Sequence, residues 1–214
     1  MGSNIKYITD EAGNRISVIV PISDWQTAET THYERALHPD LERVIVSADE
    51  IQLRVKSLAD QIASDYAGID RLYIVGILKG AFIFMADLTR ALEITHSVDF
   101  MALSSYGKTT TSGAVRILMD LREPIEGQHV LIVEDILDTG HTLSYLYRNL
   151  KDRNPASIRT CVLTVKKRAD LPTDVPIDYL GFEIPDVWVV GYGLDFADRH
   201  RTLPYIAEIK KSAT

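Results

Sequence analysis

Three runs in this chain are apolar on both faces, and they constrain its fold more than any other feature. They are RLYIVGIL, HVLIVEDIL and the TCVLTV of SIRTCVLTVKK. A strand with one wet face would alternate polar and apolar residues, so these predict strands covered on both sides. Helical patterns stand between and around them: SADEIQLRVKSLADQIASDY, AFIFMADLTRAL and HTLSYLYRNLKDR. The alternation predicts an α/β chain with a mainly parallel sheet flanked by helices. In such sheets ligands bind beyond the carboxyl ends of the strands. The residues where these runs stop are therefore the first functional candidates.

The first helix is marked twice. Ser47 and Glu50 have the spacing of a capping box, and Ile51, Val55, Leu58 and Ile62 share one face. SVDFMALSSY and VRILMDL read as strands joined by a small polar loop, GKTTTSGA, while IDYLGFEI and WVVGYGLD read as shorter strand pieces. Near the start, KYITDEAGNRISVIVPI places two β-rich runs around Glu-Ala-Gly-Asn, a hairpin signal. Residues 1–42 are thus expected to form an appendage and residues 43–214 the main domain.

Charge and cysteine content narrow the function. The formal net charge is −7 and there is no block of Lys or Arg, so nucleic acid and membrane surfaces are poor partners. No apolar run approaches the roughly 18–20 residues of a membrane span. The opening residues MGSNIKYITDEAGN lack the apolar stretch of a secretory signal. A single cysteine, Cys161, excludes an internal disulfide, and its strand context predicts core packing. The expected compartment is a reducing cytoplasm.

HVLIVEDIL ends with adjacent carboxylates, Glu134 and Asp135, and runs into Asp138-Thr139-Gly140-His141-Thr142 at the start of a helix. Gly140 permits a tight turn, and the free amides and dipole of a helix start favour an anion. DTGHT alone fits either such a site or a plain capped turn. Adjacent carboxylates are costly unless they meet donors or a cation, and ribose hydroxyls or Mg²⁺ would supply these.

VLIVEDILDTGHTL resembles the phosphoribosyl-pyrophosphate signature of type I phosphoribosyltransferases. GILKGAFIFMADL is similar to the pyrophosphate loop of the hypoxanthine-guanine branch, and VDFMALSSYG with SGAVRILMDL to its flexible-loop region. YLGFEIPDVWVVGYGLDFADRHRTLPYI is similar to its base-binding hood and C-terminal segment. The resemblance covers roughly residues 44–210 and keeps these motifs in order.

The resemblance implies that fold, a small hood and these roles. Glu134 and Asp135 would hold the ribose hydroxyls, directly or through Mg²⁺. Asp138, Thr139, Gly140, His141 and Thr142 would cradle the 5′-phosphate, and Asp138 would also handle the proton at purine N7. Leu78, Lys79 and Gly80 would face pyrophosphate, with a cis peptide between Leu78 and Lys79, and Arg201 would contact it. Ser105 and Tyr106 would begin a mobile lid that excludes water. Lys167, lying 11 residues before Asp178, is favoured over Lys166 to donate to the purine's 6-oxygen. Trp188 would stack on the base where the family generally uses phenylalanine, and Val189 would present its backbone. Asp195, at the purine, would bind a second Mg²⁺. The expected substrates are phosphoribosyl pyrophosphate and a 6-oxopurine, in a homodimer or homotetramer.

Two rivals use similar residues. A non-catalytic regulator that senses phosphoribosyl pyrophosphate would need the phosphate turn but not the base-reading residues. A phospho-receiver domain would explain the strand-end carboxylates but neither DTGHT nor the C-terminal segment.

Overall fold

The structure, a computed structural model, describes Lys6–Thr9, Arg15–Ile19 and residues 37–105, 115–167 and 175–213. The chain divides into two units, Met1–Pro39 and Asp40–Thr214. In the first, β1 (Lys6–Thr9) pairs antiparallel with β2 (Arg15–Ile19), the hairpin expected from the sequence. The division falls before residue 42 because Leu41 and Glu42 already belong to β3 (Leu41–Val46) of the second unit.

The second unit is built on a six-stranded sheet of order β6-β5-β4-β7-β8-β9. Its strands are β4 (Leu72–Leu78), β5 (His96–Ser105), β6 (Val115–Met119), β7 (His129–Leu137), β8 (Ser157–Lys166) and β9 (Tyr179–Ile184). All neighbours run parallel except β6, which is antiparallel to β5.

Helix α1 (Ala48–Asp65) starts with the full capping box. The Ser47 N–H donates to Glu50 Oε2 at 2.8 Å and the Glu50 N–H to Ser47 Oγ at 3.3 Å. With α2 (Phe82–Ala91), it buries Ile51, Leu58, Phe84 and Leu88 against Leu72 and Ile74 of β4 and Leu131 and Val133 of β7. The opposite face of the same strands, Tyr73, Val75, Val130 and Ile132, packs on Leu143, Leu146 and Leu150 of α3 (His141–Lys151). This two-sided burial is why those strands lack polar alternation. Cys161 lies in the first of these cores, where burial pushes its thiol well above the ordinary value.

A second, three-stranded antiparallel sheet joins β3 to β11 (Ile206–Ile209) and β10 (Val189–Val190) in the order β10-β11-β3. This is the small hood. Only Val189–Val190 of WVVGYGLD is strand, because the chain turns at Gly191 and Gly193, both at positive φ.

Candidate active site

β4, β7 and β8 end at one edge of the sheet. β4 runs into Lys79-Gly80, β7 carries Glu134 and Asp135 close to its end, and β8 stops at Lys166. The turn Asp138-Thr139-Gly140 leads into α3, with Gly140 at φ 75. Among the described residues no side chain caps this helix, so its first amides face the turn. Thr139 and His141 are exposed and Thr142 is half-buried.

Of the acid pair, Glu134 is buried and Asp135 half-buried. Burial, then the charge of Asp135, pushes the Glu134 carboxyl well above the usual carboxylate range. Burial likewise pushes Asp135 up to about 6, opposed by the amides of Ile136 and Asp135 itself and by the Arg201 charge, with Asp195 adding to the rise. Glu134 Oε2 is buried with no hydrogen-bond partner among the described residues. Such a group calls for a hydroxyl donor or a hard cation. Glu134, Asp135 and Asp195 offer carboxylate oxygens only, the donor type that fits Mg²⁺.

The turn after β4 closes on this pair. The Leu78–Lys79 peptide is cis, as expected. Gly80 has no room for a side chain, since a Cβ there would lie 1.6 Å from Asp135 Oδ2. From the other side, a Cβ on Gly193 would lie 2.0 Å from the Gly80 carbonyl oxygen. Arg201 is drawn into the same cluster. Its guanidinium donates to the Gly193 carbonyl at 2.5 Å, meets Asp195 Oδ1 at 2.6 Å and reaches Asp198 Oδ1 at 3.2 Å. Lys79 Nζ donates to that same Asp198 oxygen at 3.1 Å. The Asp198 amide in turn donates to Asp195 Oδ2 at 2.7 Å. The hood is also held to α2, where the Tyr192 hydroxyl donates to Asp87 Oδ2 at 2.8 Å.

On the far side of Asp138 the structure corrects the choice of lysine. Lys166, not Lys167, turns into the site. Its side chain is 6% exposed and its Nζ lies 3.3 Å from Asp138 Oδ2 and 3.6 Å from Asp186 Oδ1. Lys167 is 65% exposed and pairs with Glu183 at 3.3 Å outside the site. The spacing to Asp178 misled because it is measured across the connection between β8 and β9. The length of a connection does not fix which side chain a strand end turns inward. Lys166 is the last strand residue, registered against Ile184 of β9.

Trp188 stands 62% exposed at the rim, with its ring 5.4 Å from Lys166 Nζ and 6.0 Å, edge-on, from Phe196. It offers a flat surface beside the lysine. The Val189 side chain is buried in β10 of the hood. Ser105 closes β5, while Tyr106 and residues 107–114 lie outside the described residues.

The sequence reading missed Asp186, Gly193, Phe196 and Asp198. Asp198 had a usable signal, since it stands three residues before Arg201, though on a turn rather than a helix. Asp186 had none, because its partner is far away in the chain.

The family model described as the phosphoribosyl transferase domain matches residues 45–197. The chain belongs to the phosphoribosyltransferase family. The matched span holds the acid pair, DTGHT, both lysines, Trp188 and Asp195. Among phosphoribosyltransferase relatives, the hypoxanthine-guanine phosphoribosyltransferase of Dictyostelium discoideum is 49% identical over 172 residues, covering 78% of this chain and 95% of that protein. The hypoxanthine phosphoribosyltransferase of Trypanosoma cruzi, solved in complex with the product IMP, is 42% identical with a TM-score of 0.76. That match covers 82% of this chain and 98% of that one. A second structure of the Trypanosoma cruzi enzyme, addressing the role of its C-terminal region in oligomeric state and activity, is 41% identical with a TM-score of 0.76. It covers 82% of this chain and 95% of that one. The mainly parallel sheet with a separate antiparallel hood is thus the type I phosphoribosyltransferase fold.

Proposed function

We propose that this protein salvages purines, transferring the 5-phosphoribosyl group from phosphoribosyl pyrophosphate to N9 of hypoxanthine or guanine. The products are IMP or GMP and pyrophosphate. The observation that carries the reading is the placement of Lys166 Nζ 3.3 Å from Asp138 Oδ2, beside the phosphate turn. A base-reading donor and a proton acceptor then share one wall.

The residues divide the work. DTGHT holds the 5′-phosphate through its amides and threonine hydroxyls. Glu134 and Asp135 hold the ribose hydroxyls. Lys79, the turn at Gly80, and Arg201 hold pyrophosphate. Trp188 stacks on the base and Lys166 donates to its 6-oxygen, an acceptor that adenine lacks. As the N9–C1′ bond forms and the C1′–pyrophosphate bond breaks, Asp138 takes the proton from N7. Carboxylates near C1′ offset the positive charge that develops on the ribose. Glu134, Asp135 and Asp195 would hold Mg²⁺, which would neutralise part of the charge on pyrophosphate. Ser105 and Tyr106 begin the lid. The working form is a homodimer or homotetramer by family likeness, and a reducing cytoplasm suits a chain whose one cysteine is a buried thiol.

A regulator that only senses phosphoribosyl pyrophosphate would have no use for Lys166 and Trp188 in this arrangement. Incubation with Mg²⁺, phosphoribosyl pyrophosphate and each purine base, followed by nucleotide quantification, tests the reading. Turnover with hypoxanthine or guanine is expected. No turnover with any base would favour the regulator, and turnover with adenine alone would overturn the role of Lys166.

A further inference from the structure

Lys166 is a buried ammonium with two carboxylates around it. Asp138 comes from the turn after β7 and lies at 3.3 Å, and Asp186 comes from the hood between β9 and β10 and lies at 3.6 Å. The Trp188 ring closes a third side at 5.4 Å. Neither carboxylate contact is a tight pair, which for this donor and acceptor would fall near ~2.8 Å. The ammonium lies between the two acids, hydrogen-bonded to Asp138 and ion-paired with Asp186, and an ammonium has three protons to donate.

Asp138 cannot be the lysine's lasting counter-ion if it also takes a proton. Once the N7 proton reaches Asp138, that carboxyl is neutral, and a buried cation facing it would lose its compensation. A second carboxylate that stays ionised removes the difficulty. We infer that Asp186 is a positioning residue for this reaction. It is the standing counter-ion of Lys166, which keeps the ammonium charged and aimed at the purine's 6-oxygen while Asp138 is protonated. The inference rests on the function proposed above. Without Asp186 the ammonium would collapse onto Asp138, which would weaken the contact to the base and occupy the Asp138 oxygen that faces it. Asp186 touches neither the base nor the ribose in this account.

A double-mutant cycle tests it. Steady-state rates are measured for the full-length protein, Asp186→Asn, Lys166→Met and the double variant, with hypoxanthine as acceptor. Asp186→Asn is expected to lower kcat/KM for hypoxanthine about tenfold, with KM for phosphoribosyl pyrophosphate and the melting temperature unchanged. Asp186→Glu, which keeps the charge, should recover most of that loss. In the Lys166→Met background the Asn substitution should cost nothing further. If the Asn variant misfolds, Asp186→Ser serves the same cycle. An unaffected rate in Asp186→Asn would overturn the inference. So would a loss that persists undiminished without Lys166, or one matched by a rise in donor KM and a fall in melting temperature. Absence of turnover in the unmodified protein would remove the proposed function itself, whereas normal turnover with a silent Asp186→Asn would remove only the role of Asp186.

Discussion

Gly80 and Asp135 are packed so closely that a single methyl between them has nowhere to go. A Cβ on Gly80 would lie 1.6 Å from Asp135 Oδ2. The turn after β4 and the strand-end carboxylate therefore set each other's position. Gly80→Ala should displace Asp135 and lower kcat/KM about 100-fold, since misplacements near 1 Å have effects of that order. Overpacking should also cost about 1–3 kcal/mol of stability. Steady-state kinetics and urea unfolding of the same variant check both.

The two lysines give a paired prediction. Lys166→Met should lower kcat/KM for hypoxanthine and guanine about tenfold to a hundredfold, the scale of a lost charge-assisted hydrogen bond. Lys167→Met removes only an exposed pair with Glu183 and should stay within about twofold. Equal losses in the two variants would contradict the assignment.

Asp138→Asn should lower kcat by about 100-fold or more, the range for a lost acid–base group, with a smaller change in donor KM. A variant with the full rate would reduce Asp138 to a residue of the phosphate turn.

Acid stability should depend on Asp99, away from the active site. Burial favours its neutral form, but the Arg122 amide at 2.8 Å, the Tyr73 hydroxyl at 2.7 Å and the Phe100 amide at 2.9 Å outweigh this. The net effect lowers its pKa in the folded protein. A depressed carboxyl stabilises the fold above its unfolded pKa, near 3.9, and loses that contribution as pH falls through the folded value. Asp99→Asn should therefore cost on the order of 1–3 kcal/mol at pH 7. The gap to the unmodified protein should narrow below about pH 3.9, as urea titrations at the two pH values would show.

Removal of residues 1–39 should leave turnover unchanged, because the unit Asp40–Thr214 contains every residue placed in the site. A soluble, folded but inactive truncation would show that the hairpin takes part in the chemistry.

Much of the fold was legible because burial on both faces leaves a direct mark on sequence. HVLIVEDIL became β7 at the predicted bounds, and the Ser47–Glu50 box caps α1. β3 and β11 were not legible, since each is short and pairs with a strand far away in the chain. The site divides the same way. DTGHT and the acid pair are contiguous, so their chemistry could be read along the chain. Lys166, Asp186 and Asp198 take their roles from partners in other elements, and linear spacing does not encode which of two adjacent lysines faces inward.

One oxygen of Asp198 lies 3.1 Å from Lys79 Nζ and 3.2 Å from the Arg201 guanidinium. In the resting protein the two cations thus share one tethered carboxylate that reaches into solvent, and Arg201 is paired with Asp195 as well. Under the proposed function, pyrophosphate arriving there would exchange with Asp198 instead of drawing on bulk counter-ions. Few dissolved ions change hands in such an exchange, so pyrophosphate affinity should vary less steeply with ionic strength than two bare cations would suggest.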